Sequence, residues 1–141
     1  MADLSRGDYE ELAELRYQIR RFLHFSESAA LEEGIEPRQH QALLIIKAMP
    51  VREACTIGAL AERLFLRHQS TVGLVDRLVL RKLVIRAQGD EDARQVIVRL
   101  TRHGEDVLKR LSLTHRRELK ETAPQLARTL QVIIRKTRSI K

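Results

Sequence analysis

The chain has 141 residues, of which 43% are hydrophobic, and this length and apolar content favour a single globular domain. Its 26 Lys and Arg residues outnumber its 19 Asp and Glu residues, and the formal net charge of +7 favours a polyanionic partner. No apolar run approaches the roughly 20 residues of a membrane span, so we expect no membrane contact.

The first predicted element is a long helix over about Asp8 to Glu33, because apolar residues recur along it at helical spacing. Gly34 is placed to end this helix, and Pro37 to open the next one at its first turn. A small domain rarely covers both sides of so long a helix. We therefore favour a partner subunit on its outer side, with plain solvent exposure as the alternative.

The second predicted helix, from Arg38 to Ala48, carries four consecutive apolar residues between Leu43 and Ile46. Such a run predicts burial on several sides, so we place this helix at the centre of the core. Residues 49–55 are then expected to form a loop.

Residues 56–83 are predicted to form two short helices joined by a tight turn. The first runs from about Ile57 to Leu64, with Thr56 as its N-cap. The turn at Phe65 and Leu66 lacks the Gly that such turns often contain.

The second of these helices begins near Gln69, and its apolar spacing predicts which residues face inward. The inward residues are Thr71, Leu74, Val75 and Leu78. The outward residues are Gln69, Ser70, Val72, Gly73 and Arg77, with Arg67 and His68 just before them. The pattern is typical of a helix-turn-helix that offers its second helix to DNA, although many amphipathic helix pairs bind nothing.

Two β-prone runs follow, at residues 84–88 and 95–100, with charged, turn-rich residues between them. The pair predicts a β-hairpin, which directly after a helix-turn-helix would be a wing. The second run predicts that Val96, Val98 and Leu100 share one face. Arg94 at the tip is placed to enter a minor groove, and we expect Asp92 to pair with it; an ordinary solvated turn is the alternative.

Thr101 is predicted to cap a further helix, and Pro124 to interrupt or restart it. The expected fold class is mainly α, a winged helix-turn-helix with a small β-hairpin wing and terminal dimerisation helices. We assign residues 1–36 and 101–141 to the helical dimerisation region and residues 37–100 to the winged helix-turn-helix region.

In this order of elements the chain resembles the MarR family of winged helix-turn-helix transcription regulators. Residues 56–64 (TIGALAERL) resemble the first helix of the family motif, and residues 70–84 (STVGLVDRLVLRKLV) resemble its recognition helix. The family's Asp-x-Arg pattern, followed by Leu-Thr-x-x-Gly, is matched by Asp92 and Arg94 and by residues 100–104. Residues 34–46 (GIEPRQHQALLII) are similar to the family's stretch before the core helix.

The chain departs from the family pattern at three positions of the recognition helix. Lys82 stands where a Gly often ends that helix, so the helix either runs on or adopts a costlier cap. Gly73 offers no side chain to a base, and Val72 offers only an apolar contact to a thymine methyl group.

The resemblance implies a homodimer that presents two recognition helices to a pseudo-palindromic double-stranded DNA operator. It implies a repressor that a small aromatic or lipophilic effector releases, and it implies no cofactor. The candidate DNA contacts are Arg67, His68, Gln69, Ser70, Thr71, Val72, Arg77, Asp92 and Arg94. The candidates for an effector contact are His24 and His40.

Other chemistry receives less support from the sequence. The five histidines show no paired ligand spacing, and no catalytic motif stands out, so we expect neither a metal site nor an enzyme. The lone Cys55 excludes an intrachain disulfide, and the acidic N-terminus lacks a secretory signal, which predicts a cytoplasmic protein.

Two alternatives to the regulator remain open. The main one is a winged-helix module that binds protein, or nucleic acid without sequence preference. The lesser one is redox sensing through Cys55, because the nearby charge of Arg52 is expected to stabilise its thiolate modestly.

Overall fold

A computed structural model describes residues 3–50 and 52–138. In chain order its elements are α1 (Arg6–Glu32), α2 (Pro37–Ala48), β1 (Cys55–Thr56), α3 (Ile57–Leu64), α4 (His68–Leu80), β2 (Val84–Gln88), β3 (Val96–Leu100) and α5 (Arg102–Arg138). The chain divides into a central unit, Ala30–Ser112, and a terminal unit, Met1–Ala29 with Leu113–Lys141. The predicted class, a mainly helical winged helix-turn-helix, is confirmed.

The core of the central unit is built from aliphatic side chains of its helices and strands. Its largest fully buried apolar residues are Leu43, Leu60, Leu74, Leu78, Leu83, Ile97, Leu111, Val75, Val84 and Val98. Thr56 caps α3 as predicted, since its Oγ1 accepts the N–H of Ala59 at 3.0 Å. Burial of one apolar side of α3 and α4 therefore fixes which residues of these helices remain exposed.

The wing belongs to a three-stranded antiparallel sheet with strand order β1-β3-β2. We did not predict β1, because a strand of two residues shows no alternation. Val96, Val98 and Leu100 lie at alternate positions of β3 and so share one face as predicted, but burial does not follow this alternation: Ile97 and Val98 are both buried, whereas Val96 is exposed. Neighbouring strand residues point to opposite faces, so both faces of β3 are covered at this point.

The central helix α2 is less enclosed than its sequence suggests. We expected burial on several sides; Leu43 and Ile46 are buried, but Leu44 is 48% exposed. Each residue of a helix turns by about 100°, so a run of four apolar residues must reach every side. Only the side that faces the core is covered.

The last helix, α5, passes through Pro124 without a break, so the predicted interruption is wrong. Proline lacks an N–H, and the carbonyl of Lys120 therefore loses its helical donor. Lys120 is exposed, so water can supply that hydrogen bond instead. The helix tolerates Pro124 because it lies on a solvated stretch.

Three helices end in the same hydrogen-bonded turn. Gly34, Phe65 and Lys82 follow α1, α3 and α4 in the left-handed region, with φ values of 77, 55 and 60°. In each turn this residue and the next donate their N–H groups to carbonyls three and five positions earlier, a Schellman motif. Only Gly34 adopts this conformation freely. Phe65 and Lys82 are strained there by roughly 1–2 kcal/mol, which confirms the costlier cap expected at Lys82.

Four residues at the foot of the wing form what we call the wing-base clasp: Lys82, Leu83, Thr101 and Gly104. Thr101 donates its N–H to the Leu83 carbonyl at 3.0 Å and its hydroxyl to the Lys82 carbonyl at 2.6 Å. The same hydroxyl accepts the N–H of Gly104 at 3.0 Å, which confirms Thr101 as the cap of α5. A Cβ at Gly104 would lie 2.1 Å from the Leu83 carbonyl oxygen, so no side chain fits.

We expect Gly104→Ala to lower the free energy of unfolding by about 3 kcal/mol or more, because backbone must move to admit the methyl group. Chemical denaturation followed by circular dichroism measures this change. Gly58→Ala is the matched control: its new Cβ would meet only the Thr56 hydroxyl at 3.8 Å, so we expect no destabilisation. Equal denaturation midpoints for the two variants would contradict the clasp.

Candidate nucleic-acid interface

The recognition helix α4 exposes its first turn. It begins at His68, one residue before the predicted start, with Arg67 as its N-cap. Thr71, Leu74, Val75 and Leu78 are buried as predicted. Because these residues turn inward, the side chains of Arg67, His68, Gln69 and Ser70 face solvent together.

One candidate DNA contact must be removed from this surface. Thr71 is fully buried, and its hydroxyl donates to the Arg67 carbonyl at 3.0 Å. The side chain thus stabilises the first turn of α4 and has no surface to offer a base. The two predictions for Thr71, an inward position and a DNA contact, were incompatible, and the inward position is the one confirmed.

A cleft of 410 Å³ lies between α4 and the wing. The lining residues are Thr56, Ile57, Gly58, His68, Val72, Arg86, Arg94, Gln95 and Val96. The start of α3, the start of α4 and both wing strands therefore meet at one concave surface. Val72, a predicted contact, is half-buried in its wall.

The tip of the wing carries the predicted ion pair. Asp92 Oδ1 accepts the backbone N–H of Arg94 at 3.0 Å and its Nε at 3.3 Å, which confirms the pairing. The Arg94 side chain is 93% exposed. Because this bond uses Nε, the terminal amino groups of the guanidinium keep their donors for another acceptor.

Two further ion pairs join the recognition helix to its neighbours, and sequence reasoning missed both. Asp76 of α4 pairs with Arg86 of β2, and Arg77 pairs with Glu36, before α2, at 3.3 Å. Asp76 ties the helix to the wing, so Arg86 is held at the cleft. Arg77, a predicted contact, is half-exposed with its charge partly balanced. No local signal marks such pairs, because the partners are 10 and 41 residues apart.

Cys55 is poorly suited to redox sensing. It is 3% exposed, and burial raises the pKa of its thiol. The predicted stabilisation of its thiolate by Arg52 is therefore wrong, since loss of hydration outweighs any attraction to that exposed side chain.

The two candidates for an effector contact, His24 and His40, differ in exposure. His24 is exposed on α1, and His40 is buried on α2. Within residues 3–50 and 52–138, no three His, Cys, Asp or Glu side chains are grouped as metal ligands. Across the same ranges, no helix combines the length and apolar character needed to cross a membrane.

We expect Cys55 to react slowly with a thiol reagent at pH 8, because few thiolates form and the sulfur is shielded. Since Cys55 is the one cysteine of the sequence, absorbance of the released reporter follows this thiol alone. Addition of denaturant should accelerate the reaction by at least an order of magnitude, as expected for a thiol reached through unfolding. Equal rates in native and denatured protein would restore the redox interpretation.

These elements define the central unit as a winged helix-turn-helix domain. Residues 33–95 match the model of the MarR family, so the predicted resemblance is confirmed over this part of the chain. No significant match is found among curated protein sequences.

Solved structures extend the likeness to most of the chain. A MarR family transcription regulator shares 21% identity over 92% of this chain and 87% of its own, with a TM-score of 0.75. A mutant of Staphylococcus aureus MepR bound to an oligodeoxyribonucleotide shares 17% identity over 97% and 98%, with a TM-score of 0.66. CouR from Rhodococcus jostii, bound to p-coumaroyl-CoA, shares 21% over 92% and 95%, with a TM-score of 0.69. These likenesses show the fold.

Proposed function

We propose that this protein is a homodimeric transcription regulator that binds a pseudo-palindromic double-stranded DNA operator. The observation that carries the proposal is the cleft between α4 and the wing, where His68, Arg86 and Arg94 meet beside the exposed start of the recognition helix. A helix fits the major groove, and a basic wing fits the neighbouring minor groove. The structure of a MepR mutant with an oligodeoxyribonucleotide supports this use of the fold.

We divide the exposed residues into readers, which contact base edges, and anchors, which contact phosphates or the minor groove. Gln69 and Ser70 carry polar side chains without charge, which suits hydrogen bonds to base edges. Arg67 and Arg94 are exposed cations that suit phosphates or a narrow minor groove, and Arg77 reaches phosphate by exchanging Glu36 for it. Asp92 contributes indirectly, by holding Arg94.

The terminal unit supports the homodimer, because polar contacts join its two helices. Gln18 Nε2 donates to Glu14 Oε1 at 2.8 Å and to Thr129 Oγ1 at 3.1 Å. Lys136 pairs with Glu11 at 2.6 Å and with Asp8 at 3.3 Å. The helices of one chain therefore meet through hydrophilic side chains over this stretch, and many apolar side chains are left outside.

The exposed apolar side chains of the terminal unit include Tyr9, Leu12, Tyr17, Ile19, Leu23, Leu113, Leu130 and Ile134. Grouped exposed apolar residues mark interaction surfaces. A second copy is the occupant we propose, with residues 1–36 and 101–141 forming the dimerisation region.

We further propose that the regulator represses transcription and that a small aromatic or lipophilic effector releases it from DNA. CouR, whose structure contains p-coumaroyl-CoA, supports an effector of this class. An effector that binds the DNA-free conformation better than the DNA-bound one would shift the protein off its operator.

Selection from a random duplex library at fixed physiological salt tests the proposal. We expect enrichment of a two-fold symmetric site whose half-sites lie roughly 34–36 Å apart, one turn of B-DNA. A flat profile would overturn sequence-specific regulation and favour a module without sequence preference. Enrichment of a single half-site would overturn the dimeric mode of binding.

Ser70→Ala and Arg94→Ala should affect DNA binding in different ways. Ser70→Ala is expected to relax the preference at one base pair by about 1 kcal/mol, because a base contact is lost. Arg94→Ala should weaken binding to all sequences and reduce the slope of log K against log salt by about 0.9. Fluorescence anisotropy on the selected duplex and point-changed duplexes measures both effects.

Arg20→Ala is the control for charge, since it removes an exposed arginine from the terminal unit. Its salt slope should match that of the wild type. An unchanged base preference in Ser70→Ala would remove Ser70 from the readers, and an unchanged slope in Arg94→Ala would remove the wing from the interface.

A further inference from the structure

Phe65 combines two features that do not stabilise the free protein. It occupies the left-handed region, with φ 55° and ψ 41°, where a side chain is strained. Its side chain is also 96% exposed, so it gains almost nothing from burial. At the end of α1 the same hydrogen-bonded turn is made by Gly34 without this strain. A strained residue that packs against nothing suggests a role outside the free fold.

Phe65 lies beside the proposed reading surface, which is the exposed first turn of α4. Only Leu66 stands between it and Arg67, the N-cap of α4, and two peptide units span at most about 7 Å. It therefore lies close to the end of the recognition helix that enters the major groove in helix-turn-helix complexes.

The charges around Phe65 favour a nucleic acid over a second copy of the chain. Arg63 and Arg67 flank it, both exposed, and neither forms an ion pair within the residues that the structure describes. In a two-fold contact centred here, the arginines of one copy would approach those of the other. On DNA, by contrast, they would approach phosphates.

We propose that Phe65 is a specificity-determining residue that contacts the methyl group of a thymine at the rim of the major groove. This inference rests on the proposed function. Phe has no hydrogen-bonding group, and the C5 methyl of thymine is the apolar group that base pairs present in that groove. Val72, the other apolar residue of this surface, is half-buried in the cleft wall and offers less contact area.

The test replaces each thymine of the selected duplex by deoxyuridine, one at a time, which removes only the methyl group. For the wild type we expect one thymine per half-site at which binding weakens roughly four-fold, the effect of one buried methyl group. Phe65→Gly should bind the thymine duplex roughly four-fold more weakly than the wild type does, and should not distinguish thymine from uracil at that position. Its salt slope should be unchanged, because no charge is removed.

Thermal unfolding excludes a damaged fold as the cause. Phe65→Gly relieves the left-handed strain, so its Tm should rise by roughly 3 °C while its DNA affinity falls. Lys82→Gly is the matched control, because it relieves the same strain at the far end of α4. It should also raise the Tm, and it should keep the wild-type difference between thymine and uracil. Phe65→Leu keeps an apolar side chain and should keep part of that difference.

The possible results separate this inference from the proposed function. If Phe65→Gly binds as tightly as the wild type, or still distinguishes thymine from uracil as the wild type does, the methyl contact is overturned. A lower Tm in Phe65→Gly would overturn the argument from strain. If the wild type enriches no duplex at all, the regulator itself is overturned instead.

Discussion

At the base of the wing, the carbonyl of Leu83 accepts the N–H of Thr101 and lies where Gly104 has no side chain. The four residues of the wing-base clasp thus connect the end of α4 and the start of β2 to the end of β3 and the start of α5. The hairpin is therefore closed at the point where the recognition helix stops. Any displacement of the clasp would move the wing relative to α4, and with it the cleft that both elements line.

The burial of one side of α4 determines which of its residues face outward. Leu74, Val75 and Leu78 lock the rotation of the helix against the core, so its first turn must face outward. Thr71 adds a second constraint, because its buried hydroxyl bonds the Arg67 carbonyl and ties the N-cap to the next turn. The reading surface is thus held by packing beneath it. Polar side chains there remain available for contacts outside the chain.

Local signals in the sequence were enough to predict the helices, most of their ends and the hairpin. Thr56 and Thr101 cap helices with their own hydroxyls, and such bonds span only three residues. Features that depend on distant partners were beyond reach. The short β1 exists because β3 lies beside it, and the pair of Asp76 with Arg86 requires the wing to fold back on α4. The exposure of Leu44 likewise depends on which side of α2 the core covers.

Carboxylates on the proposed DNA surface explain how a basic interface keeps its shape. The pairs are Arg77 with Glu36, Arg86 with Asp76, and Arg94 with Asp92. Exposed pairs of this kind contribute about 0–1 kcal/mol each, so a phosphate can replace a carboxylate without a large loss. Before that exchange, the carboxylates limit the rotamers of the arginines and lower the entropy lost on binding. The acidic residues thus weaken the attraction to DNA at long range while they orient the cations that act at short range.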